Sequence, residues 1–215
     1  MGPIAAKTGE PVQVRLNVAD ANRLAFYNNG WSGGVLAPRD WHCFVLYGSN
    51  GVFLAVAPDL DPSKGFEVIR KTHFLGPAVV LDLWSGGTSG RFAVATYAAR
   101  LFPREAHDYI ERIARMEDAF DRGDFRRSLR FKPYPADILK RKSRSQVEFE
   151  TPAYRDGLGT SGSPPISSSP DPIYGVATLS GEREWPNLLL LAVRLPGELR
   201  SLRQAIVADV ERRVW

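Results

Sequence analysis

One cysteine, Cys43, stands alone in 215 residues, so an internal disulfide framework and a site built from several thiolates are excluded. Histidine is scarce as well, with His42, His73 and His107 the whole supply. The longest apolar runs, Val52 to Ala57 and Leu188 to Val193, are strand-sized and fall far short of the roughly 20 residues of a spanning helix. Met1-Gly2-Pro3-Ile4 has no basic stretch followed by an apolar one, so no signal peptide is expected there. Charge of one sign is not in large excess: 28 Lys and Arg against 24 Asp and Glu leave +4. The excess is local, because Arg122, Arg126, Arg127, Arg130, Lys132, Lys140, Arg141, Lys142 and Arg144 meet only Asp124 and Asp137.

What is present is material for one core of ordinary size, since 44% of the residues are apolar. One domain over residues 1–215 is expected, with 1–10 as a loose tail. Val12, Val14 and Leu16 alternate with polar residues, the period of a half-buried strand. Cys43–Tyr47 and Val52–Ala57 flank Gly48-Ser49-Asn50-Gly51, whose Asn-Gly pair is a strong hairpin signal.

Two segments carry the same order of words. Val79 to Gly86 is followed by Phe92 to Tyr97, then by Arg-Leu and Pro103; Val176 to Gly181 is followed by Leu188 to Val193, then by Arg-Leu and Pro196. Both read as strand, Ser-Gly turn, strand, helix, which predicts a duplicated ββα unit. Helices are expected from Pro103 to Arg122 and from Gly197 to Val214. Leu199, Leu202 and Ile206 follow Ala106, Tyr109 and Ile113 at a constant offset of 93 residues, so equivalent roles are expected. The fold class is therefore α+β: an antiparallel sheet of hairpins with both helices on one face. Residues 123–170, first basic and then rich in Pro, Ser and Gly, read as a long connection in which Val147-Glu148-Phe149-Glu150 makes a short strand.

Ala37-Pro38-Arg39-Asp40-Trp41-His42-Cys43, Tyr47-Gly48-Ser49-Asn50-Gly51, Gly87-Thr88-Ser89-Gly90-Arg91-Phe92 and Glu150-Thr151-Pro152 with Gly157-Leu158-Gly159-Thr160 together resemble a group of uncharacterised bacterial proteins of the periplasm or cell envelope. That resemblance implies a periplasmic or secreted location and no particular reaction.

Five places carry candidate chemistry. Gly159-Thr160-Ser161-Gly162-Ser163-Pro164 resembles the nucleophile segment of trypsin-like serine peptidases, and His42 and Asp82 precede it in the matching order, which defines a hydrolase using Ser161, His42 and Asp82. Against it stand a Pro/Ser/Gly-rich setting and a ββα pattern foreign to a double barrel. Cys43 as a nucleophile would need His73 or His107, because His42 points to the opposite face of the same strand. His107 and Glu111 share a helical face without a visible third ligand, so no metal is expected, and no cofactor motif is found. Gly86-Gly87-Thr88-Ser89-Gly90-Arg91 can cradle an anion, though with a strand expected next it does not read as a Walker loop. Phe125, Phe131 and Tyr134 interleave with the basic arm, a weak sign of nucleic-acid contact. The favoured reading is a non-catalytic binding domain that takes an anionic or protein partner through Thr88, Ser89, Arg91, Arg39 and Trp41, with oligomeric state left open.

Overall fold

Near-continuous apolar runs in the central strands build a sheet that is buried on both sides. The computed structural model describes residues 14–28, 33–61, 73–118 and 125–213. Nine strands appear there: β1 Leu24–Asn28, β2 Gly34–Pro38, β3 His42–Gly48, β4 Gly51–Ala57, β5 Ala78–Ser85, β6 Ile138–Arg141, β7 Gln146–Thr151, β8 Ile173–Gly181 and β9 Pro186–Arg194. Five α-helices accompany them: α1 Val18–Arg23, α2 Arg91–Leu101, α3 His107–Asp118, α4 Phe125–Ser128 and α5 Arg203–Arg212. β1 and β2 form a small sheet, and the other seven strands lie in the order β3-β4-β5-β9-β8-β7-β6 with every pairing antiparallel. β9 is the middle strand. Leu188 to Val193 is continuously apolar because successive side chains enter opposite buried layers.

One layer holds Phe53, Trp84, Val147, Phe149, Ala177, Leu188 and Leu190 of the sheet beneath α2 and α3. Further along the same face, Ala55, Ala57, Ala78, Val80 and Ala192 are small, and Leu60, Phe74 and Ile166 from irregular segments close over them. The opposite face presents Leu54, Val56, Val79, Leu81, Leu189, Leu191 and Val193 to β1, β2 and α5. Arg194, at the end of β9, is fully buried and ties two of the covering segments together by donating to the carbonyls of Phe74, Gly76 and Ser167. The Phe74 carbonyl also accepts the Ser167 amide (3.0 Å), so the guanidinium reinforces a backbone link between the same two segments.

The mixed α+β class holds, and the hairpin of β3 and β4 forms where the Asn-Gly signal lies, although only Gly51 of that pair has a positive φ, 144°. The duplicated ββα unit is not found. Residues 173–212 are strand, strand and helix, but Phe92 to Tyr97, expected as a strand, lies inside α2. The reason is that the stretch continues through Ala98 and Ala99 to Leu101, so that with Arg91 it makes a helix of eleven residues. α2 is wedged between the sheet and α3, with Val94, Ala95, Tyr97, Ala98, Ala99 and Leu101 buried, so no single stripe betrays the helical period. Thr96 donates to the Phe92 carbonyl four residues back, as helical threonines do.

The two expected helices also part company. Ile113 and Ile206 are both fully buried, but in layers on opposite faces of the sheet, not on one. Pro196 adjoins a 3₁₀ turn, Gly197–Leu202, that leads into α5, whereas Pro103 stands in a turn ahead of α3. Residues 119–122 lie outside the described residues, as do the tail 1–10 and Val12 of the first expected strand; Val14 to Asn17 are irregular. The 123–170 connection, from 125 onward, supplies α4 and two strands of the main sheet.

Candidate functional site

β5 runs into a glycine loop and then directly into a helix. Ser85 donates its amide to the Asn50 carbonyl (3.2 Å) and Gly86 to the Pro186 carbonyl (3.0 Å), so the loop emerges between the turns of two neighbouring hairpins. A Cβ on Gly86 would strike the Pro186 carbonyl and one on Gly90 the Asn50 carbonyl, so glycine is required at both ends. Between them Thr88 folds back: its hydroxyl donates to the Ser85 carbonyl at 3.1 Å, and Arg91 donates its amide to the Thr88 carbonyl at 3.1 Å. Ser89 and Ser49 join hydroxyl to hydroxyl at 2.9 Å. Tyr109, reaching up from α3, places its hydroxyl within 3.2 Å of the Gly86 carbonyl and 3.1 Å of the Arg91 carbonyl. Burial pushes that phenol well above its ordinary value, which keeps it a donor.

α2 therefore begins at Arg91, contrary to the expectation that no helix follows the loop. Gly90 precedes it and no side chain caps it. The amides of Phe92 and Ala93 find no acceptor among the described residues, as the first turn of an uncapped helix leaves them. Arg91 lies over the Phe92 ring at 4.6 Å and donates through Nη1 to the Thr88 carbonyl (3.1 Å), while its buried Nε has no partner. It pairs with neither Glu148 nor Glu150; Glu148 is engaged by Lys140 and Lys142. Beside the loop stands Trp185, 42% exposed, with its side chain against Gly87 and the Arg112 guanidinium 4.2 Å above its ring. Arg112 donates to the Glu184 carbonyl, and Arg183 pairs with Asp108 at 2.7 Å. Trp185 and Arg112 escaped the sequence reading. The available signal was a lone tryptophan among the charges of Glu182-Arg183-Glu184-Trp185.

Arg39 and Trp41 are not part of this surface, because they precede β3 at the end of the sheet away from the glycine loop. The Arg39 guanidinium donates to the carbonyls of Ala21, Asn22 and Leu24, closing the end of α1. Trp41 packs against the aliphatic face, and its backbone is held on both sides by the Tyr27 hydroxyl.

Asp82 and the Ser161 segment do meet. Asp82 projects from β5 toward the loop after β7, accepting the Ser163 amide on Oδ2 at 2.9 Å, and Gly162 lies against the same oxygen. Oδ1 is buried without a partner. Burial drives the carboxyl well above the ordinary aspartate range, and the Ser163 amide only partly offsets it. Ser161 spends its hydroxyl on the Leu158 carbonyl (2.9 Å), and its own carbonyl accepts from Tyr97 (2.5 Å). His42 does not join them. It pairs with Ala57, whereas Asp82 pairs with Phe53 and so stands level with Leu46. Four residues along a strand and two strands across amount to roughly 13 Å and 10 Å. Asp82 and His42 cannot share a hydrogen bond at that separation, so the three residues do not assemble as a triad.

The remaining candidates resolve into packing. Cys43 is half-buried, its thiol pushed up by desolvation. His107 contacts Asp108, and Glu111 pairs with Arg126 at 3.4 Å; no group of three His, Cys, Asp or Glu side chains suited to a metal occurs among the described residues. The basic arm is tied inward: Arg100 stacks on Tyr134, Arg141 pairs with Glu105 and donates to the Leu101 carbonyl, and Lys142 bridges Glu148 and Glu211. No helix among the described residues is long and apolar enough to cross a membrane. Comparison with family models, with curated proteins and with solved structures finds no match for the chain.

Proposed function

We propose that this protein is a binding domain that recognises an anionic group, a carboxylate or a phosphate, at the Gly86–Arg91 loop. The observation that carries the reading is the passage from β5 through a glycine loop into an uncapped α2. Such a passage gathers unbonded amides at the positive end of a helix dipole, where negative charge is favoured. Arg91 adds a planar cation rooted in that first turn, suited to two oxygens at once. Ser89, whose hydroxyl is shared only with that of Ser49, supplies a further donor, Thr88 shapes the loop through its bond to the Ser85 carbonyl, and Trp185 with Arg112 forms the adjoining wall. The loop is fixed at its base by Tyr109 and two hairpin turns, so little ordering is required on binding. A periplasmic or secreted location is proposed on the resemblance to envelope proteins, and fractionation of expressing cells tests it.

Calorimetric titration with inorganic phosphate and with acetate at low ionic strength tests the site. Binding that weakens at least tenfold in Arg91→Ala, with an unchanged melting temperature, is the expected result. A parent protein that takes up neither anion overturns the reading. A fluorophosphonate probe should leave the protein unlabelled; labelling lost in Ser161→Ala would replace the binder with a hydrolase.

A further inference from the structure

The seven-stranded sheet has two edges of different character. β6 is four residues long and carries Lys140 and Arg141. Short, charged edge strands resist pairing with a second chain. β3 is seven residues long, His42-Cys43-Phe44-Val45-Leu46-Tyr47-Gly48, with no Asp, Glu, Lys or Arg and with five successive half-buried residues between exposed ends. Among the described residues its only strand neighbour is β4.

The register shows which backbone groups face outward. Ser85 donates to the Asn50 carbonyl, so the even-numbered residues of β4 bond toward β5 and the odd-numbered ones toward β3. Phe53, Ala55 and Ala57 pair with Leu46, Phe44 and His42. The amides and carbonyls of Cys43 and Val45 consequently point away from the sheet, without partners among the described residues.

We propose that β3 is a homodimerisation edge, on which β3 of a second copy adds antiparallel with Val45 opposite Val45. The two sheets then form one continuous sheet, twice the seven strands of a single copy. In this register Cys43 stands opposite Tyr47 and Phe44 opposite Leu46, so apolar side chains meet on both faces. Beyond the strand, Asp40 falls opposite Asn50 and brings no like charges together. A second copy fits better than a foreign peptide because antiparallel pairing of a strand with itself is two-fold, satisfies both edges and closes the assembly. The charge-free strand places no ion against its own image, whereas β6 paired with itself would crowd Lys140 and Arg141.

Sedimentation velocity of the full chain over a concentration series, with hydrogen exchange at Cys43 and Val45, tests the assignment. Expected are a dimer that dissociates on dilution and slow exchange at both amides that quickens as it does. Val45→Pro removes an outward N–H and no bond to β4, so it should weaken self-association at least tenfold with the circular dichroism unchanged. If that variant fails to fold, the dilution series on the parent decides by itself. A parent that stays monomeric at its highest soluble concentration overturns the proposal: fast exchange would then mean an unused edge or one kept for another polypeptide, and slow exchange an edge covered by the chain itself. A folded Val45→Pro that still dimerises overturns it equally.

Discussion

Residues 78–118 and 173–212 are written with the same words and fold differently. In the later segment β8 and β9 form a hairpin in the middle of the sheet; in the earlier one β5 enters the sheet, the chain leaves through Gly86–Gly90, and the second apolar stretch is α2. The two apolar stretches differ in what surrounds them. Leu188 to Val193 is leucine-rich, runs into Arg194-Leu195-Pro196, and finds strands on both sides in β5 and β8. Phe92 to Tyr97 alternates with alanine and continues past Ala99, with length and propensity for a helix. An apolar run of strand length does not reveal its period; its continuation does. The divergence also bears on the proposed anion site, because the helix in place of a strand is what sets free amides beside Arg91.

The largest test of that contrast concerns the helices that follow. Ile113→Ala and Ile206→Ala should each cost about 2–5 kcal/mol in urea unfolding, since both side chains are fully buried. With a sheet between them, the double variant should equal the sum within about 0.5 kcal/mol. Coupling well above that would place them in one shared core and restore the symmetry that the fold denies.

Asp82 gives the earlier segment a buried carboxyl with no cation beside it, whereas buried Asp209 of the later one is paired with Arg213, and the effect of Asp82 depends on pH. Its folded pKa lies above the unfolded value, so its contribution is complete below about pH 4 and is lost as pH rises toward the raised value, where the unfolded chain releases the proton first. Asp82→Asn, permanently neutral, should flatten this dependence and exceed the parent by about 1–3 kcal/mol at alkaline pH, where the parent strands a charge with an unbonded oxygen. Unfolding curves that fall with pH equally in both proteins would remove Asp82 from the account.

Ala93 separates helix from strand directly. In α2, Ala93→Gly should cost about 1 kcal/mol and Ala93→Val about 0.6 kcal/mol. A strand would instead welcome valine, so a stabilising Ala93→Val would break the comparison. The smallest effect is expected at Arg91. Its replacement by Ala should change stability by less than about 0.5 kcal/mol, because it joins no ion pair among the described residues, while anion binding falls away. A large loss of stability without anion binding in the parent would make Arg91 structural, as buried Arg194 is.

Much of this molecule was legible from local chemistry. The Asn-Gly turn located β3 and β4, the unbroken leucines marked β9, alternation within Val147 to Glu150 announced β7, and the stripe through Ile113 identified α3. Part of the candidate site was legible too, since glycines beside an arginine marked the loop. Arg39 and Trp41 were mistaken for its companions because residue type carries no information on which end of a sheet a side chain will occupy. His42, Asp82 and Ser161 followed a familiar order along the chain, yet order sets neither register nor separation.

What the sequence by itself determined is therefore the menu of elements and the class, because turns, caps and periodicity act over a few neighbouring residues. The tertiary structure alone decided which face each helix covers, that Phe92 to Tyr97 would be held as a helix, and that Asp82 would be enclosed by the Ser161 loop. It also decided which sheet edge is left without charge. Those outcomes depend on burial against residues distant along the chain, and the free energy of such contacts exists only once both partners are in place.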